Sequence, residues 1–177
     1  MFINYFDFYQ IPVAFFPDET ELRNLFFKIN REYHPDYFTQ SDALTQEKAL
    51  ELTSINNKAY QTLSNPELRI KHILQIYGLL DEDEKYQLPQ SFLLEMMDIN
   101  EQIMEVSFSE DPEQELIRLN QQIANLEENM KNEISPVLHN FDQNPQQVEL
   151  LQTVKDFYYK NRYILRIKES LSNFAHR

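Results

Sequence analysis

Side chains that could carry chemistry are few in this sequence, and the densest grouping is His34-Pro35-Asp36. Proline fixes φ between the imidazole and the carboxylate, so the two groups are set in a turn rather than left on a free chain. A turn is one reading of the tripeptide, with Asp36 bonding its local backbone; presentation of His34 and Asp36 to a partner is the other. Other chemistries find less. The absence of cysteine removes disulfides, zinc thiolate sites and thiol nucleophiles. A single glycine, Gly78, excludes Gly-rich phosphate loops and dinucleotide turns. Phosphotransfer through His139 would want an exposed histidine inside a helix with cations beside it, but His139 follows Pro136 closely and its near neighbours are not basic. His72 is a lone histidine in a helical pattern and reads as structural or exposed. The many carboxylates show no fixed pairing of the kind a hydrolase needs, and a charged surface accounts for them. No cofactor and no metal site are expected, and the chain is not expected to be an enzyme in its own right.

The tripeptide sits between two amphipathic segments. Asp18-Glu19-Thr20-Glu21 is a capping box, and nothing breaks a helix from there to Tyr33. Leu22, Leu25, Phe26, Ile29 and Tyr33 fall within an arc of about 100° and predict a core face. Arg23, Lys28 and Arg31 spread over about 140° on the opposite side, a cationic strip in an otherwise acidic chain. Pro35 ends this helix, because the residue before a proline is pushed out of helical geometry. A second helix is expected over 42–63, with Leu52, Ile55, Ala59 and Leu63 closing on the first and its polar residues, Lys48 and Lys58 among them, solvated. His34 and Asp36 are thus placed at the tip of a helical hairpin. Upstream, Tyr5, Phe6, Phe8 and Tyr9 predict a short helix, ended by Pro12, that packs its rings on the hairpin. Downstream, Asn65 caps and Pro66 starts a helix that Gly78 closes in left-handed geometry.

Charge and hydropathy bound the rest. Hydrophobic residues make up 42% of the 177, enough for a packed core. Residues 1–80 carry 7 Lys+Arg against 10 Asp+Glu, residues 81–177 carry 9 against 19, and the whole has a net charge of −13. An acidic chain repels phosphate backbones, so nucleic-acid binding is not expected. No apolar run approaches the roughly 20 residues of a membrane span, and the N-terminus lacks the basic flank and apolar run of a signal peptide. A soluble, cytoplasmic protein is expected.

The run Asp81-Glu82-Asp83-Glu84 reads as a solvated connection, which places a domain boundary near residue 79. Beyond it, three antiparallel helices are expected. The first spans 89–107, with Phe92, Met96, Ile99, Ile103 and Val106 within about 80° as core. The second follows Pro112 with a coiled-coil-like seam of Leu116, Leu119, Ile123, Leu126, Met130 and Ile134, until Pro136 kinks or ends it. The third starts at Asn144-Pro145 and carries Leu150, Val154, Phe157, Ile164 and Leu171 on one side. The helix at 89–107 has a second stripe, Leu93, Leu94, Met97 and Met104 interleaved with Asp98, Glu101 and Glu105. Such a strip is either a partner-binding surface or the wide face of a helix with two neighbours. Tyr159 and Tyr163, about 160° and about 120° from Phe157, pose the same question.

The hairpin with His34-Pro35-Asp36 at its tip and a basic face beside it resembles the J domain of DnaJ-type co-chaperones. More specifically, the chain resembles the HscB family of iron–sulfur co-chaperones. The resemblance covers nearly the whole chain: Tyr5-Phe6 with Ile11-Pro12, the tip followed by Phe38, Asn56 to Leu63, Asn65-Pro66 through Arg69, and Phe92-Leu93-Leu94-Glu95 with its continuation. It implies an all-α fold, a J domain over 1–78 and an antiparallel three-helix domain over 79–177. It implies that His34, Pro35, Asp36, Arg23, Lys28 and Arg31 meet a DnaK/HscA-type heat-shock chaperone and stimulate its ATP hydrolysis. It further implies that Leu93, Leu94, Met97, Asp98, Glu101, Glu105 and Tyr159 hold the cluster scaffold IscU. Three positions depart from the family's habit: Tyr37 replaces a lysine after the tripeptide, Gln10 a glycine before Ile11-Pro12, and Tyr159 a phenylalanine. The cysteine-bearing N-terminal segment of some eukaryotic members is not seen, which favours a bacterial-type protein. A J protein serving a different client is the alternative.

Overall fold

The computed structural model describes residues 2–80 and 86–175, the side chains of 173–175 excepted. The acidic run at 81–84 lies outside the described residues. The described residues form α1 (Tyr5–Tyr9), α2 (Glu19–Glu32), α3 (Ala43–Ser64), α4 (Pro66–Ile76), α5 (Gln90–Glu105), α6 (Pro112–Gln143) and α7 (Leu150–Ala175), with 3₁₀ turns at Pro35–Phe38 and Val106–Phe108. They divide into two compact units. One takes the chain up to Leu79 together with Phe141–Gln146; the other takes Leu80–Asn140 and the chain from Gln147 on.

In the first unit α2 and α3 pair, and α1 and α4 pack on α3. Asp18 caps α2 as its sequence predicts, accepting from the N–H groups of Thr20 (2.8 Å) and Glu21 (3.0 Å). Leu22 is the fully buried residue of the core face, and Leu25, Phe26, Ile29 and Tyr33 are half-buried. The expectation that the polar residues of α3 are solvated holds for Lys48 and Lys58 and fails at Asn56, which is fully buried. The Asn56 amide donates to the Phe26 carbonyl of α2 (3.0 Å), and its Oδ1 accepts the Tyr9 hydroxyl of α1 (2.7 Å). One side chain therefore ties three helices, each polar atom satisfied, which is what burial of an amide requires. Burial, with Tyr60 nearby, pushes the Tyr9 phenol well up, so it stays a donor. The Arg69 guanidinium, also buried, donates to the Leu63 carbonyl and closes the turn from α3 to α4.

Helix α1 has five residues, too few to stand alone. Asn4 accepts from the N–H groups of Phe6 and Asp7, and His72 Nε2 accepts from Tyr5 N–H at 3.0 Å. At the other end Gln10 takes φ 57, and Ile11 N–H returns to the Phe6 carbonyl (3.0 Å). The chain uses glutamine in left-handed geometry where glycine would be unstrained. Gly78, at φ 66, does the same service for α4, with Leu79 N–H reaching the Leu74 carbonyl at 2.9 Å. Phe141, wholly buried, sets its ring 5.3 Å from Phe15 and 5.8 Å from Tyr77, and the Asp142 carboxylate accepts from the N–H groups of Phe15 (2.7 Å) and Phe16 (2.8 Å). Residues 141–146 thus belong with the first unit, a long-range pairing that local sequence does not announce.

In the second unit α5, α6 and α7 share one core, with Met96, Ile99, Leu119, Ile123, Ile164 and Ile167 at its centre. The five residues expected as the core of α5 are all buried. Lys168 pairs with Glu127 (2.9 Å) while Asp156 and Lys160 lie near Glu133, so α6 and α7 run antiparallel. Two expected helix ends differ in the structure. Of a kink or an end at Pro136, the end does not occur, and helix α6 continues to Gln143. Pro136 and Asn132, whose carbonyl the proline deprives of a donor, are both exposed, so water can take the freed acceptor. Helix α7 starts at Leu150, not at Asn144-Pro145, because residues 145–149 form turns. Among the described residues no helix is long and apolar enough to cross a membrane.

Candidate functional site

The tip in the first unit is built by pinning the backbone and leaving the side chains out. Helix α2 ends at Tyr33, whose carbonyl accepts the Thr53 hydroxyl of α3 at 2.9 Å. Gln46, also on α3, donates to the carbonyls of Thr39 (3.3 Å) and Ser41 (2.8 Å). Between these anchors Pro35–Phe38 make a 3₁₀ turn with His34 as its cap and Tyr37 N–H on the His34 carbonyl (3.0 Å). Asp36 N–H donates to His34 Nδ1 at 3.3 Å. With Nδ1 accepting, the proton of the neutral ring sits on Nε2. The Asp36 carboxylate is 3.6 Å from Nδ1, and the two side chains are 51% and 83% exposed. The tripeptide is a turn, and the turn leaves a ring donor and a carboxylate acceptor in solvent.

Arg23, Lys28 and Arg31 are all exposed, and none is in an ion pair among the described residues. In their midst stands Phe27, 56% exposed. It is four residues from both Arg23 and Arg31 and about 40° from Arg23, inside the cationic arc. That arithmetic was available in the sequence, but the phenylalanine reads as core when only its type is considered. Tyr37, 70% exposed, sets its ring 5.8 Å from that of His34, where a cation was the family's habit.

The second strip lies on α5. Its side chains resolve the question left by periodicity: Leu94, Met97 and Met104 are 57%, 55% and 66% exposed, and Asp98, Glu101 and Glu105 are exposed with them. Leu93 is half-buried at the edge of the core face. The strip is therefore an apolar and acidic surface that no neighbouring helix of its unit covers. The tyrosines of α7 divide. Tyr163 packs against the core, its ring edge-on to Phe92 at 6.0 Å, so for this residue the buried alternative holds. Tyr159 is half-buried because Tyr86 stacks on it, centroids 4.3 Å apart and planes 6° apart. Tyr86 is held by its hydroxyl on Asp156 (3.2 Å) and by Lys155 Nζ 5.5 Å from its ring centroid. No local pattern marks Tyr86, whose partners are 69 to 73 positions away in sequence.

Three comparisons with known proteins bear on the family and the fold. Residues 88–172 match the family model described as the HSCB C-terminal oligomerisation domain. The co-chaperone protein HscB homolog of Psychromonas ingrahamii is 33% identical over 130 residues, 71% of this chain and 76% of that protein. The HscB homolog of Shewanella amazonensis is 26% identical over 170 residues, 96% of this chain and 95% of that one. Among solved structures, HscB from Vibrio cholerae superposes with a TM-score of 0.70 at 24% identity, covering 98% of both chains. Human co-chaperone protein HscB gives 0.75 at 24% identity, over 96% of this chain and 81% of that one. The fold is accordingly all-α, a J domain with a C-terminal helical bundle, and the chain belongs to the HscB family of co-chaperones.

Proposed function

We propose that this protein, working in the cytoplasm, stimulates ATP hydrolysis by a DnaK/HscA-type heat-shock chaperone and delivers the iron–sulfur scaffold IscU to it. The observation that carries the reading is the tip: His34 and Asp36 stand in solvent on a turn tied to α3, beside Arg23, Lys28 and Arg31, none of them in an ion pair among the described residues. A rigid tip loses little freedom on docking, and a basic face steers it to an acidic partner. The exposed strip of α5, with Leu94, Met97, Asp98, Glu101 and Glu105, serves as the scaffold-binding surface, with Leu93 and the stacked Tyr159 at its margins. Holding both partners raises their effective concentration, so client delivery is coupled to hydrolysis. The protein itself hydrolyses nothing. His34 and Asp36 act by favouring one chaperone state over another, since a ligand without differential affinity shifts no equilibrium.

Single-turnover ATP hydrolysis by the chaperone, with IscU present, tests this directly. The wild type accelerates turnover. His34→Gln keeps the fold and scaffold binding, since the ring is half in solvent, but loses acceleration. Acceleration that survives His34→Gln refutes the role of the tip. Acceleration indifferent to IscU, together with scaffold binding unaffected by Leu94→Ala and Met97→Ala combined, assigns the protein to another client.

A further inference from the structure

The apolar part of the α5 strip does not stop where the scaffold-binding reading stops. Leu94, Met97 and Met104 are joined by Phe108, 88% exposed, at the end of the following 3₁₀ turn. With Glu101, Leu94, Met97 and Met104 sit at steps of three and four, the spacing of a coiled-coil seam, and fall within an arc of about 80°; Phe108 follows beyond the end of α5 and lines a cleft with Glu105 and Arg118. The carboxylates are not scattered round this ridge. Glu105, Asp98 and Glu95 lie at about 20°, 40° and 100° from Leu94 on one side only; the other side carries Leu93 and Asn100. All three flank carboxylates are exposed, and none is in an ion pair among the described residues. A ridge of about three turns, followed by Phe108 and with one charged flank, is a directional surface: it has an orientation as well as a composition.

We infer that Met104 and Phe108 extend the scaffold-binding surface into a single seam from Leu94 to Phe108, which takes an amphipathic segment of the scaffold with basic residues along one flank. The inference rests on the scaffold-binding role proposed above. The occupant is argued from charge and continuity. Carboxylates on one flank complement a partner with cations on one side; Met104 continues the ridge from the residues already assigned to the scaffold, and Phe108 adds an exposed ring in the turn that follows. Flexible methionines and a ring standing almost wholly in water are the side chains that gain most from being covered.

Isothermal titration of IscU into the full-length protein tests the extension, with Met104→Ser/Phe108→Ser combined and, separately, Asp98→Asn/Glu105→Gln. All four side chains are exposed, so circular dichroism should show the fold unchanged. The serine pair should weaken IscU binding roughly tenfold or more, and the amide pair should weaken it and flatten its dependence on salt. Wild-type binding with no change in the serine pair overturns the extension and leaves the scaffold reading standing. No wild-type binding overturns both. Sedimentation of the protein alone supplies the remaining outcome: a wild type that self-associates and a serine pair that does not would assign the seam to a second copy of this chain and overturn the inference.

Discussion

His72 should make the first unit lose stability in mildly acidic solution, and the size of the loss follows from its surroundings. Its side chain is 3% exposed, stacked 4.6 Å from the Tyr5 ring, and its Nε2 accepts the Tyr5 N–H. Burial pushes its pKa down from 6.5 to about 4. A folded-state value below the unfolded one means that, between those limits, the unfolded chain takes up a proton the folded chain refuses. The stabilisation from neutral His72 is complete above pH 6.5 and is lost as pH falls toward 4. Linkage puts the loss between pH 8 and pH 5 at about 2 kcal/mol. The charged groups that line the same cleft are Lys58 and Lys71. Two measurements check this. The ring nitrogens of His72, followed by NMR, should titrate near pH 4. Urea unfolding at pH 8 and pH 5 should show wild type losing about 2 kcal/mol more than His72→Phe, which keeps a ring but cannot take a proton. At pH 8 the variant should itself be weaker by about 1–2 kcal/mol, for leaving Tyr5 N–H without an acceptor. A His72 midpoint at or above 6.5, or equal pH slopes in the two proteins, would refute the reasoning.

Two further predictions concern the backbone and the buried amide. Gln10→Gly should stabilise by roughly 0.5–1 kcal/mol by relieving left-handed strain, while Gly78→Ala should cost about 1 kcal/mol although nothing lies within 4 Å of the added carbon; opposite shifts of the urea midpoint would check both. Asn56→Leu leaves the Tyr9 hydroxyl without the carboxamide oxygen and the Phe26 carbonyl without the carboxamide donor, and should cost about 2–4 kcal/mol by the same measurement, with amide exchange accelerated in α1.

Much of the architecture was legible because it is local. The cap at Asp18, the core face of α2, the buried stripe of α5 and the seam of α6 follow from spacing alone. So did the placement of His34 and Asp36 at a hairpin tip, since one proline settles where α2 stops. What was not legible depends on groups distant in sequence. Asn56 reads as a solvated polar residue until Tyr9 and Phe26 are brought to it. Tyr159 and Tyr163 sit at similar helical angles, and only the arrival of Tyr86 at one and Phe92 at the other distinguishes them. Whether Pro136 ends α6 was not legible for a different reason: its cost depends on whether the deprived carbonyl is buried, and periodicity measures apolar faces rather than access of water to one oxygen.

The closure of α1 has a consequence for the order in which the chain assembles during synthesis. Its five residues leave the ribosome before α3 and α4 do, yet the acceptor for Tyr5 N–H lies 67 residues downstream and that for the Tyr9 hydroxyl 47 residues downstream. Until α3 and α4 have emerged, this segment is an unpaired string of aromatic rings, too short to hold helical shape. A segment made before α3 and α4 is therefore among the last of its unit to fold. During that interval its rings are the natural point of contact for any factor that guards nascent chains.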